Sequence, residues 1–313
     1  MTQLPDDVAA LAAKVSNWGR WGTDDEVGTL NHITPEKLVR AATLVRTGKT
    51  FSLAIPLDQK GPQAGPIRVN PIHTMTATGC DDVPPLEMGA GARYTDDVMF
   101  LYLQSSTQWD SLAHMYYGDQ LYNGFSARSI DSSGAHRVGI DKTCNAYVSR
   151  GVLLDLPRWR GVDCIDPADA IRGDDLDDVA AKQGVVIEAG DIILLRTGLM
   201  WTWLATGNWS AFQTAQPGLH YSTVEWLYDN HIAAIAGDNG AVEQTRSKHE
   251  PDLTVFLHML GLRDMGICLG ELWYFEDLAA DCADDGVYDC FLAAQALPIT
   301  GAVGSPVNPI AMK

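Results

Sequence analysis

One stretch of the chain concentrates side chains that hold cations and move protons. It reads Gln104-Ser-Ser-Thr107-Gln108-Trp109-Asp110-Ser-Leu112-Ala-His114. If the backbone stays extended, a period of two puts Gln104, Ser106, Gln108 and Asp110 on one face, and His114 follows as the chain turns away. A helix would point 108 and 110 in different directions. Two amide oxygens, a carboxylate and an imidazole would then meet at a strand end, a shell suited to a hard or borderline divalent cation with a water beside it. The same spacing also describes a polar strand end with an ordinary surface histidine. Other devices are missing. Gly89-Ala-Gly91 has Tyr94 where a dinucleotide fingerprint needs its third glycine, and no G-x-S-x-G elbow, G-x-x-x-x-G-K-[ST] loop or H-E-x-x-H pair occurs.

The elements that must position these residues can be read from short apolar runs. Residues 98–103, directly before Gln104, read as a buried strand, and further strands are expected at 151–155, 185–187, 190–195, 231–235, 265–269 and 291–297. Helices fall between or before them. The first has Thr34 as N-cap, Pro35 at its first position, apolar Leu38, Ala41, Ala42 and Val45, and Gly48 beyond. Others are expected at 174–182, at 222–230 with a Ser222/Glu225 capping box, and at 252–262. On the last, Leu253, Phe256, Leu257 and Leu260 form one stripe with His258 off to the side, a place for a surface histidine or for a ligand. The acidic run 174–178 suits a solvated helix start. Strands and helices alternate from about residue 150, the signature of a mixed α/β fold. Residues 56–96, rich in Pro and Gly, read as a long irregular loop. No linker divides the chain, so 1–313 is expected to be one domain: an N-terminal arm and helix (1–50), the loop, and a core (97–313).

Composition narrows the function class. The 313 residues are 46% hydrophobic and 20% charged, and 40 Asp and Glu against 22 Lys and Arg give a net charge of −18. Such a field repels nucleic acid and anionic lipid, leaving a small-molecule substrate as the expected partner. Neither a secretory leader nor a membrane-length apolar run is visible. The six cysteines contain no C-x-x-C pair and read as reduced thiols, so a cytoplasmic location is expected. Asn208-Trp-Ser210 reads as a chance sequon.

The segment 104–114 resembles the H-x-G-T-H-x-D-x-P-x-H signature of the putative cyclase superfamily, which includes bacterial kynurenine formamidase and isatin hydrolase. Gln104 and Gln108 stand at its first two histidines, Ser106 and Leu112 replace its Gly and Pro, and Thr107, Asp110 and His114 match. The form Q-x-x-x-Q-x-D-x-x-x-H is similar to a branch that includes manganese- or zinc-dependent trans-dienelactone hydrolases. Trp18-Gly-Arg-Trp-Gly22, Arg150-Gly-Val-Leu-Leu-Asp155, Gly190-Asp191 through Gly198, and Gly301-Ala-Val-Gly-Ser-Pro306 resemble other blocks of the family. The resemblance implies a swivelling β/β/α fold with a mixed sheet or barrel-like core and flanking helices, usually assembled as a dimer or tetramer.

It also implies roles. Gln104, Gln108, Asp110 and Glu271 become metal ligands, His114 the general acid/base, and His258 a ligand or a hydrogen-bonding partner of the site. Glu271, at the end of an apolar run, counts as catalytic as well as ligating. Glutamine in place of histidine keeps the ligand neutral but offers a harder oxygen donor, favouring Mn²⁺ over Zn²⁺ by comparison and one ion over two. Trp18, Trp21 and Trp109 could wall a planar substrate or pack in the core, and His73 could reach it from the loop or stand idle. His136, His220, His231 and His249 gain no role. The implied activity is a metal-dependent hydrolase opening a lactone or cyclic amide, in the degradation of an aromatic compound. An arylformamidase or isatin-type amidase is the alternative that changes the bond, and a metal-free small-molecule binder that keeps the pocket is the alternative from another functional class.

Overall fold

The computed structural model describes residues 4–81, 89–245 and 255–313. Pro84-Pro85 of the long loop, His249 and the first residues of the expected 252–262 helix, including Leu253, lie outside the described residues. Strands run in chain order as β1 (Thr50–Ser52), β2 (Ile72–Ala77), β3 (Asp96–Phe100), β4 (Gln108–Asp110), β5 (Ile130–Asp131), β6 (Gly134–Ala135) and β7 (Val148–Asp155). They continue with β8 (Ile192–Arg196), β9 (Ala234–Gly237), β10 (Cys268–Glu271), β11 (Asp289–Ala293), β12 (Gly304–Pro306) and β13 (Ile310–Met312). Nine of them form one mixed sheet in the order β1-β13-β11-β7-β8-β9-β10-β4-β12. It is curled into half a barrel with helices around it, as expected for a mixed α/β fold with a barrel-like core.

Its centre, β7-β8-β9-β10, is parallel. Parallel strands need crossovers, and helices fill them. Between β7 and β8 lie α3 (Leu156–Arg160) and α4 (Gly173–Gln183), and between β8 and β9 lie α5 (Leu199–Thr206) and α6 (Thr223–Asp229). The crossover to β10 carries α7 (Phe256–His258), which runs into a π-helical stretch at Met259–Met265, and α8 (Glu276–Asp285) follows β10. Covered on both faces, central strands must be apolar throughout rather than alternating. Ile192, Ile193, Leu194 and Leu195 are accordingly all 0% exposed.

The N-terminal arm contains a helix that the sequence reading passed over, α1 (Asp6–Val15), which buries Val8 and Val15 against the π-helical stretch and α6. The helix after Thr34, α2 (Pro35–Ala42), is capped as expected, with Thr34 accepting from the Lys37 N–H. Its buried face matches the expected stripe only at Ala41: Leu38, Ala42 and Val45 are exposed, while Lys37 is buried. Lys37 Nζ lies 2.6 Å from Asp191 Oδ1 and 3.0 Å from Glu188 Oε2. Arg150 Nη1 reaches the other Asp191 oxygen at 3.3 Å, so two cations serve this fully buried carboxylate at the start of β8. Burial raises its pKa, and Arg150 and Lys37 oppose the rise.

Four expectations are corrected. The run 98–103 is not a buried strand, because among the described residues β3 pairs only with β2 in a separate hairpin, and Val98, Met99 and Phe100 are exposed. That hairpin also gives the 56–96 loop regular structure. Residues 185–187 form no strand, and Val186 points to solvent. Ser222 does not make a capping box: its backbone is helical and its hydroxyl bonds His220 Nδ1 at 2.8 Å instead. Among the described residues no helix is long and apolar enough to cross a membrane, and all six cysteines are free thiols.

Lys37→Ala should lower the unfolding free energy by about 3 kcal/mol in urea melts, the usual cost of removing one partner from a buried ion pair. A loss below about 1 kcal/mol would mean that Arg150 alone satisfies Asp191.

Candidate active site

The short strand β4 lies between β10 and β12, and its register decides which side chains meet. Gln108 is opposite Glu271, Trp109 opposite Gly270 and Asp110 opposite Leu269. Alternation sends Trp109 to one face and Gln108 and Asp110 to the other. Trp109 is wholly buried, stacked on Tyr147 with ring centroids 4.7 Å apart and edge-on to Trp273 at 4.9 Å, and its N–H donates to Ala294 O at 2.7 Å. Glycine is required across from it. A Cβ at Gly270 would stand 2.7 Å from Ala236 Cβ and 2.8 Å from the Trp109 ring.

On the opposite face, Asp110, His258 and Glu271 bring one ligating atom each to within 4.8 Å of one another, all from buried residues. His258 Nε2 is 3.1 Å from Glu271 Oε1 and 3.9 Å from Asp110 Oδ2, and His114 Nε2 is 3.8 Å from the same Asp110 oxygen. Gln108 donates its amide N–H to Glu271 Oε2, which leaves Gln108 Oε1 free to face the site. Neither oxygen of Asp110 has a well-formed hydrogen bond, nor does Gln108 Oε1. Buried oxygens without donors are costly, so this arrangement calls for a proton or a cation among them. Two carboxylates, an imidazole nitrogen and an amide oxygen suit a borderline or hard divalent ion.

The electrostatics agree with that demand. Burial, and then Glu271, raise the Asp110 pKa well above the usual carboxylate range, while His258, Arg68 and Gln104 work the other way. Burial also penalises charge on His258, but the bonds to Glu243 and Glu271 outweigh it and raise its pKa well above normal. His114 goes the opposite way: burial lowers it to about 4, only partly offset by Glu271. At neutral pH it is an uncharged base beside an acid cluster. The turn that delivers it is held by the His114 N–H to Ser111 O at 3.0 Å and by the buried Leu112 and Ala113.

Two residues of the site have no counterpart in the sequence reading. Glu243, on the loop after β9, bonds His258 Nδ1 and accepts the backbone N–H groups of Leu257 at 3.1 Å and His258 at 3.2 Å. A carboxylate can only accept, so Nδ1 carries the proton and Nε2 is turned to the site. Gly218 permits this, since a Cβ there would collide with the Glu243 backbone. An acid just past a buried parallel strand, in Gly237-Asp-Asn-Gly-Ala-Val-Glu243, was the available signal. Arg68, from the loop before β2, is the second.

Arg68, His114, Glu243, His258 and Glu271 line a cavity of about 300 Å³, with Met115, Gly240, Ala241, Thr245 and Val255 completing its wall. A larger hollow of about 610 Å³ lies around Arg196 and Glu276, but their charges are spent on each other at 2.7 Å. Gln104 stays beside Asp110, but not by way of the expected extended strand. Residues 103–107 are turns and bends, not strand, and the Gln104 side chain packs over Gly304, where a Cβ would collide with it.

The expected aromatic wall is corrected. Trp109 belongs to the core. Trp18 donates its N–H to Arg263 O at 2.8 Å beneath the Arg263 guanidinium, and Trp21 meets His32 edge-on at 5.1 Å. His73 is exposed on the hairpin with Asp97 at 2.7 Å. None of the four lines the cavity. His136 pairs with Asp131 at the surface, His220 bonds Ser222, and His231 stacks on His32.

Residues 51–244 match a protein family described as Putative cyclase. A solved structure described as a novel cyclase is 44% identical, with a TM-score of 0.88 over 96% of this chain and 100% of that one. Isatin hydrolase A from Ralstonia solanacearum is similar in fold, with a TM-score of 0.62 at 16% identity over 90% of this chain and 98% of that one. A structure described as a potential metal-dependent hydrolase with cyclase activity gives 0.52 at 16% identity over 84% and 96%. No curated protein matches in sequence.

Gly270→Ala should destabilise the protein by about 1–3 kcal/mol through overpacking and alter the near-ultraviolet circular dichroism of Trp109. An unchanged unfolding midpoint would show that β4 and β10 separate freely.

Proposed function

Since the chain belongs to the cyclase family, we propose that it is a metal-dependent hydrolase that opens a lactone or cyclic amide. The observation that carries this reading is the convergence of Asp110, His258 and Glu271 on one point, with no well-formed hydrogen bond to either Asp110 oxygen and neutral His114 beside it. Asp110, His258 and Glu271 would hold one divalent ion, Mn²⁺ or Zn²⁺, aided by Gln108 Oε1, with Gln104 behind Asp110. Such an ion polarises a scissile carbonyl and lowers the pKa of a water molecule from 15.7 towards about 7.

The protein's own residues supply the rest. His114, uncharged at neutral pH, takes a proton from the attacking water and returns it to the leaving oxygen or nitrogen. A C–O bond forms at the carbonyl carbon, the ring C–O or C–N bond breaks, and the product carries a new carboxylate. Glu243 holds His258 in the tautomer that presents Nε2 to the site. Met115 and Val255 add apolar surface to the cavity wall.

The test is metal analysis of the purified protein with an assay panel of lactones, formanilides and isatin, with added Mn²⁺ or Zn²⁺. About one equivalent of metal and chelator-sensitive ring opening are expected, and Asp110→Asn should lose most of the metal. Less than about a tenth of an equivalent, with no hydrolysis of any panel member, would leave a small-molecule binder instead. His114→Ala should keep the metal and lower turnover about a hundredfold or more. Full activity in that variant would assign the proton transfer elsewhere.

A further inference from the structure

We propose that Arg68 is a specificity determinant that binds a carboxylate carried by the substrate, so that the molecule opened here is anionic. This rests on the hydrolase reading for the bond that is cleaved, but not for the anion site itself. Arg68 is half-buried and lines the same cavity as His114, His258 and Glu271. Its Nη1 donates to the main-chain oxygen of Gln104 at 3.2 Å. That bond fixes the guanidinium relative to the segment leading into β4, and therefore relative to Asp110.

The contrast with the other inward-facing arginines shows what is unusual. Arg150 is paired with Asp289 at 2.9 Å, Arg196 with Asp155 at 2.8 Å, and Arg263 with Asp264. Arg68 pairs with no carboxylate among the described residues, although three acids, Asp110, Glu243 and Glu271, serve the same site. A guanidinium that is partly withdrawn from water and left unpaired costs solvation that a ligand carboxylate can return. Its planar fork matches a carboxylate through two parallel N–H···O bonds, a geometry that a point charge does not enforce. The placement also orients the substrate. With its anionic end on Arg68, a small ring in this cavity of about 300 Å³ shares it with His114, His258 and Glu271.

The experiment compares Arg68→Met and Arg68→Lys with wild type in two ways. Calorimetric binding of benzoate and benzamide tests the anion site without turnover. Wild type should bind benzoate about tenfold or more tightly than benzamide. Arg68→Met should erase that preference, and Arg68→Lys should restore part of it. Steady-state kinetics on a lactone bearing a carboxylate and on its methyl ester test the substrate class. The ratio of kcat/KM for acid over ester should fall about tenfold or more in Arg68→Met, through KM rather than kcat, at unchanged metal content. Equal binding of benzoate and benzamide by wild type, or the same preference in Arg68→Met, overturns the proposal. Loss of kcat on acid and ester alike overturns it too, because Arg68 would then only hold Gln104 in place. If no lactone or amide is opened while benzoate binding still depends on Arg68, the hydrolase reading fails and the anion site stands.

Discussion

Two carboxylates buried side by side set the terms for the rest of this structure. Asp110 and Glu271 come from adjacent antiparallel strands, and the pairing of Asp110 with Leu269 puts them on one face, diagonal to each other. At such separations two buried acids cannot both hold a negative charge unless a proton or a cation lies between them. The surroundings answer that requirement. His258 is brought in from the opposite crossover, Glu243 fixes its ring, and Gln108 turns its N–H toward Glu271. On the far side of the same strands, Trp109 fills the space that Gly270 vacates. Strong packing beneath keeps the acids from separating, which is their easiest relief.

The site divides its labour between rigid and adaptable backbone. Asp110, Gln108 and Glu271 are fixed by sheet register, and register cannot slip by one residue without turning Trp109 toward the cavity and the acids into the core. His258 stands where α7 passes into π-helical turns, an arrangement that widens the helix and is frequent at functional sites. Arg68, Met115, Gly240 and Val255 belong to loops or loop ends. Geometry for chemistry thus rests on strands, and the cavity's selectivity on segments that sequence change alters most easily.

Parts of this were legible before any coordinates. The apolar run within 190–195 announced a strand, and Ile192–Arg196 is one, with Ile192 to Leu195 fully buried. Thr34-Pro35 marked a helix start correctly. A period of two placed Gln108 and Asp110 together because they do lie on one strand, whereas Gln104 sits in the preceding turn and acts on Asp110 from there. The run 98–103 misled because apolar content alone does not say whether a partner layer exists, and this hairpin has none among the described residues. Lys37 was invisible as a buried cation, since its counter-charge, Asp191, lies in a different crossover. Glu243 and Arg68 were missed for the same reason. Their importance arises from loops that meet only in the folded chain, and no local periodicity reports that.

The net charge of −18 has to be read on the same scale of distance. At physiological ionic strength the Debye length is about 8 Å, so acids scattered over the surface are largely screened from one another. Within the cavity, groups stand a few ångströms apart behind low-dielectric walls, and each pair interaction exceeds the sum of many remote ones. There the acids Asp110, Glu243 and Glu271 are met by His258, His114 and Arg68, and a bound divalent cation would reverse the balance. Surface charge works against a polyanion, whose many phosphates would all have to approach the acidic exterior at once. It places no such bar on a small anion, which meets only the few groups lining the cavity, and whose affinity is decided by whether one of them is an unpaired cation.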